Sequence, residues 1–131
     1  MHAYIDTSAL VAVAFSEPGH DAVIDKLGKL DSVFSSTLLE AEFMAAAQRE
    51  GMRDAAARLL KSISFVFPPG RLSSEIDRVL AAGYLRGADV QHLACALFVF
   101  AQPQGELFIS LDKRQNEVAQ DLGFLTLPVQ G

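Results

Sequence analysis

Four carboxylates stand among neighbours that otherwise read as apolar. Asp6 follows the run Ala3-Tyr4-Ile5, and Asp112 follows Leu107-Phe108-Ile109-Ser110 after one further residue, Leu111. Asp89 opens a strongly apolar stretch that continues to Ala101, and Glu42 lies inside Leu38-Leu39-Glu40-Ala41-Glu42-Phe43-Met44-Ala45-Ala46-Ala47. If such acids converge, their mutual repulsion must be relieved by protonation or by a bound cation. Carboxylates and water form an all-oxygen ligand set that suits Mg²⁺ or Mn²⁺. A cation held in this way can orient an attacking water and neutralise phosphate charge during phosphodiester hydrolysis. No Cys/His cluster has zinc spacing, which sets zinc aside.

Each acid also has a plainer reading. Asp6, Asp89 and Asp112 all precede apolar helical patterns and could serve as helix caps. On the long helix, Leu38, Glu42, Ala45 and Arg49 share one stripe, while Glu40, Met44 and Ala47 share another. Helical spacing alone therefore leaves Glu40 and Glu42 equivalent, and either could be a solvated residue of an imperfect amphipathic helix. His92 lies one turn after Asp89. A histidine in so apolar a helix is expected to pack and to donate to a backbone carbonyl, so it is left outside the catalytic set. Arg86, Lys113 and Arg114 are the basic residues expected near the acid edge, either as phosphate contacts or as ordinary solvated surface.

The elements that would position these acids follow from periodicity. Short β-rich runs at Tyr4-Ile5, Ser32–Ser36, Ser64–Phe67 and Leu107–Ser110 read as strands, with Phe124–Leu127 as a last edge strand. Helical patterns fill the intervals: Ala9–Phe15, His20–Lys29, Ser36 or Thr37 to Glu50, Arg53–Ser62, Ser73–Tyr84, Asp89–Ala101 and Lys113–Leu122. Gly51 and Gly123 follow two of these in the position of helix terminators. Strands alternating with helices predict an α/β fold, a three-layer α/β/α sandwich around a mainly parallel sheet of four or five strands. Asp6 and Asp112 would then project from the same carboxyl edge of that sheet, where open α/β folds bind ligands.

Bulk properties bound the function. The 131 residues are half hydrophobic and show no repeat or linker, which predicts one domain over 1–131. The lone cysteine, Cys95, sits in an apolar run and is expected to pack as a small hydrophobe in a reducing cytoplasm. No basic n-region or membrane-length apolar run is present, so a soluble cytoplasmic domain is expected. A net charge of −5 disfavours nucleic acid as a default partner, so such a partner would require local basic groups or metal ions.

Four segments in order resemble the PIN-domain ribonucleases, and more closely the VapC toxins of bacterial toxin–antitoxin pairs. They are Tyr4-Ile5-Asp6-Thr7-Ser8-Ala9-Leu10; Ser35-Ser36-Thr37-Leu38-Leu39-Glu40-Ala41-Glu42; Gly87 to Leu97 around Asp89; and Phe108-Ile109-Ser110-Leu111-Asp112-Lys113-Arg114. The resemblance places the second family acid at Glu42, by its spacing from the serines. It implies that Asp6, Glu42, Asp89 and Asp112 are both catalytic and ligands to one or two Mg²⁺ or Mn²⁺ ions, with Ser8 or Ser110 as helpers. It further implies an endoribonuclease toxin acting on structured RNA such as tRNA or rRNA, a homodimer, and a small VapB-like antitoxin. The helical hairpin Thr37–Ser62 would be the natural clamp for the antitoxin. Two other readings compete: a silent PIN-fold binding module, and a haloacid-dehalogenase-like phosphatase. The phosphatase wants a second aspartate where this chain has Ser8.

Overall fold

The computed structural model describes residues 1–129. Its elements run β1 (His2–Ile5), α1 (Thr7–Phe15), α2 (His20–Leu27), β2 (Ser32–Ser36), α3 (Thr37–Glu50), α4 (Arg53–Leu60), β3 (Ser64–Val66), α5 (Ser73–Ala82), α6 (Gly87–Val99), β4 (Leu107–Ile109), α7 (Lys113–Leu122) and β5 (Leu125–Thr126). The five strands form one sheet in the order β3-β2-β1-β4-β5, and every pairing is parallel. The α/β/α architecture read from the sequence is therefore the one observed, and the edge strand near Phe124 is real but only two residues long.

Alternation along the central strands divides the core. Tyr4 registers with Phe108, and their rings stack with centroids 5.7 Å apart. Both point to one face, where α6 and α7 supply Leu93, Leu97 and Val118 and the chain after α7 supplies Phe124. Their neighbours Ala3, Ile5, Leu107 and Ile109 point to the other face, against Leu10, Leu39 and Phe43 of α1 and α3. This two-residue period, with both faces buried, explains why the strands read as unbroken apolar runs. Cys95 is buried and burial pushes its thiol up to about 11, in keeping with a packing role.

Helix ends follow local chemistry. Gly51 and Gly123 terminate α3 and α7 in the left-handed conformation at φ +68° and +112°, where a side chain would be strained. The helix expected from Ser73 to Tyr84 stops at Ala82, because Gly83 takes an extended backbone and carries Tyr84 clear of the helix. Among the described residues no helix is long and apolar enough to cross a membrane.

Candidate functional site at the carboxyl edge of the sheet

Chain order reverses between β1 and β4: β1 leads to β2 on one side, while β4 and β5 add on the other. The crevice beyond such a switch point is where an open α/β sheet accepts ligands. The Asp6 N–H bonds the Ile109 carbonyl at 3.0 Å, so β1 and β4 finish side by side and Asp6 opens α1 at this point.

Asp6 is 3% exposed and is held by three donors. The Ser8 hydroxyl donates to its Oδ1 at 2.8 Å, the Ser110 hydroxyl to its Oδ2 at 2.9 Å, and the Ala9 N–H to Oδ1 at 3.3 Å. The last bond is a helix cap, so the plain reading of Asp6 holds, alongside two serine contacts that no cap requires. Burial pushes the Asp6 carboxyl up to about 6, against the lowering pull of Ser8, His92 and Ser110. Ser8 and Ser110 in turn accept the N–H groups of Leu111 and Asp112, at 3.1 and 3.0 Å, which ties the loop after β4 to Asp6.

Asp112 caps α7 through a 2.9 Å bond from the Gln115 N–H to its Oδ1. Buried Gln115 then donates from Nε2 to the backbone carbonyl of Asp89 at 3.2 Å, joining the starts of α6 and α7. Nothing in the sequence pattern singled out this glutamine. Asp89 is not a cap: α6 begins at Gly87, Arg86 holds the cap position, and Asp89 sits in the first turn. Its pKa is raised by burial first and then by the charge of Asp112, with Glu42 adding to the effect and His92 and Arg86 opposing it. Carboxylates from α3, α6 and the loop after β4 are thus close enough to repel one another.

Between the two glutamates the fold is decisive. Glu40 is exposed, whereas Glu42 is half-buried and turns toward α1 and α6. The Thr7 hydroxyl reaches Glu42 Oε1 at 2.7 Å, and His92 Nε2 reaches the same oxygen at 3.1 Å. His92 is buried, and its Nδ1 lies 2.9 Å from the Tyr4 hydroxyl. The Glu42 carboxylate can only accept, so Nε2–H donates to it, and Nδ1 of the neutral ring then accepts from the Tyr4 hydroxyl, which burial keeps protonated. The expected backbone-carbonyl partner for His92 is therefore replaced by a side-chain chain, Tyr4–His92–Glu42, running from the core to the edge. A donor at i+3 from Asp89 was the available signal, but helical spacing could not reveal its partners across the sheet.

Arg86 and Arg114 line a cleft of about 490 Å³ together with Asp89 and Asp112, while Lys113 lines a different one on the far side of α7. The edge thus combines acids with local positive charge.

A divalent cation can be tested against this donor set. Among the described residues Asp89 accepts no side-chain hydrogen bond, Asp112 uses only Oδ1, and Glu42 uses only Oε1. Carboxylate oxygens are therefore left unused on residues that crowd one another, a set whose chemistry fits a hard cation. As they stand, no three acid, imidazole or thiol groups among the described residues meet at ligating distance. Asp89 and Asp112 are half-buried rather than sealed in.

No curated protein matches the chain in sequence. A chain in the crystal structure of VapBC2 from Rickettsia felis, bound to a DNA fragment from their promoter, superposes with a TM-score of 0.70 at 10% identity, covering 96% of this chain and 98% of that one. At such identity the likeness is one of fold. The PIN domain family model matches residues 3–121, a span that takes in Asp6, Glu42, Asp89 and Asp112. The chain belongs to the PIN domain family.

Proposed function

We propose that this chain is a metal-dependent endoribonuclease of the VapC toxin type, with Asp6, Glu42, Asp89 and Asp112 as its catalytic and metal-ligating residues. The observation that carries the reading is the placement of Asp89 and Asp112 in one cleft at the sheet edge, with Glu42 held near α1 and α6 by Thr7 and His92 and with oxygens of all three unused. A bound Mg²⁺ or Mn²⁺ supplies activation of the attacking water and neutralisation of phosphate charge.

The chain's own residues do the rest. Asp6 is the fixed anchor, since Ser8 and Ser110 hold both of its oxygens. Thr7 and His92 fix Glu42 through Oε1 and leave Oε2 without a side-chain partner among the described residues. Asp89 and Asp112 complete the site and provide a carboxylate to take the proton of the attacking water. Arg86 and Arg114 contact phosphate oxygens of the substrate, which answers the objection raised by the net charge of −5. Structured RNA such as tRNA or rRNA is the substrate class, and the partners are a VapB-like antitoxin and a second copy of the chain. The Rickettsia felis neighbour is itself part of such a two-component complex on DNA. The α3–α4 hairpin is the proposed clamp for the antitoxin.

Purified protein incubated with tRNA and rRNA should cut in Mg²⁺ or Mn²⁺ and stop on adding EDTA. Asp112→Asn should be inactive under all conditions. Equal cutting in EDTA, or by Asp112→Asn, would overturn the metal mechanism; no cutting of any RNA would leave a silent binding module.

A further inference from the structure

Tyr84 is 77% exposed, whereas the only other tyrosine, Tyr4, is wholly buried. It leaves α5 through the extended Gly83 and is followed by Leu85, which is buried and pins the segment. Tyr84 lines the cleft that Arg86, Asp89, Asp112 and Arg114 also line. Gly83 matters to that wall: a Cβ there would meet Arg114 Nη2 at 2.8 Å and Val118 Cγ2 at 3.0 Å. The bare glycine lets the Arg114 guanidinium lie against the backbone beside Tyr84, while Glu117 holds its Nη1 at 3.2 Å. One exposed tyrosine and two arginines therefore share a cleft with Asp89 and Asp112.

We infer that Tyr84, with Arg86 and Arg114, forms a nucleotide subsite in which an unpaired RNA base stacks on the Tyr84 ring and its phosphates meet the two arginines. Every base has a π-face, and aromatic platforms flanked by basic groups bind single-stranded nucleic acid in this way. An apolar peptide fits less well, because Leu85 is buried and Tyr84 is the only exposed ring lining the cleft. The inference rests on reading the acid edge as the cleavage centre, and it narrows the substrate to RNA with an unpaired base beside the cut, as in a loop or bulge.

The chain contains no tryptophan, so Tyr84→Trp installs a single fluorophore in the subsite. We would titrate it with an unstructured single-stranded RNA nonamer in EDTA and again in Ca²⁺, so that binding is read without cleavage. Stacking should quench the fluorescence. By competition, Tyr84→Phe should bind within about twofold of wild type and Tyr84→Ala at least about fivefold more weakly. Replacing the stacked nucleotide by an abasic one should cost wild type about as much as Tyr84→Ala, and cost Tyr84→Ala little more. Absence of quenching, or undiminished binding by Tyr84→Ala, would overturn the subsite. So would a Tyr84→Ala protein that keeps its RNA affinity but loses self-association in sedimentation, which would assign the ring to a protein interface. Quenching by RNA without any cleavage in Mn²⁺ would uphold the subsite and refute the nuclease reading instead.

Discussion

Replacing Asp6 by asparagine separates a helix cap from a metal site. Asparagine caps about as well as aspartate, so a pure cap predicts almost no change in stability and no response to metal. The buried site predicts otherwise. Folding raises the Asp6 carboxyl from 3.8 to about 6, so keeping it ionised above pH 6 costs the fold up to ~3 kcal/mol. The sign follows: the folded state binds the proton more tightly than the unfolded chain. The penalty is therefore full above the folded value and fades as pH falls through 6 toward 4. In EDTA at pH 8, Asp6→Asn should be more stable than wild type by ~1–3 kcal/mol, the lower figure allowing for an amide that matches the two serine hydroxyls less well. That advantage should shrink steadily down to pH 4. Adding Mn²⁺ to a hundredfold excess over its dissociation constant should then stabilise wild type alone, by ~2.7 kcal/mol, which reverses the ranking wherever the asparagine advantage is smaller than that and nearly cancels it at the upper figure. Thermal midpoints across pH and Mn²⁺ concentration read both effects. Parallel curves for the two proteins would leave Asp6 as a cap and refute the reasoning.

Three further outcomes are expected. Glu42→Gln should lose most RNA cleavage while Glu40→Gln keeps most of it, because only Glu42 turns inward to Thr7 and His92; a reversed order in the same assay would misplace the second acid. Tyr4→Phe leaves buried His92 Nδ1 without its donor and should cost ~1–3 kcal/mol in urea unfolding, and an unchanged midpoint would show that Nδ1 finds another partner. Asp112→Asn should abolish cleavage yet keep stability within about 0.5 kcal/mol, since its amide oxygen can still cap α7, whereas Asp112→Ala should lose roughly 1 kcal/mol as well.

Much of the fold was legible because strand and helix periods alternate cleanly, and because Asp6 and Asp112 stand where apolar strands end. Adjacent parallel strands place those tips together whatever the loops do. The choice between Glu40 and Glu42 was beyond helical spacing: both stripes of α3 carry apolar residues, and only the packing of α1 against that helix, with Thr7 and His92 meeting Glu42 at the sheet edge, decides which one is inward. His92 and Gln115 were illegible for the same reason. Their partners, Tyr4 with Glu42 and Asp89, come from other elements, and a single-sequence pattern records types and spacing rather than contacts across a sheet. Tyr84 was read as part of a helix, and the extended Gly83 that frees it left no separate mark in the pattern.

A cation site is expected at the carboxyl edge between β1 and β4. Crystals of the chain grown with Mn²⁺ and measured for anomalous scattering would locate that ion without reference to activity. Density bridging Asp6 with Glu42, Asp89 and Asp112, lost in crystals of Asp6→Asn, is the expected result. Well-ordered carboxylates with no anomalous peak between them at saturating Mn²⁺, or a peak held by other residues, would contradict it.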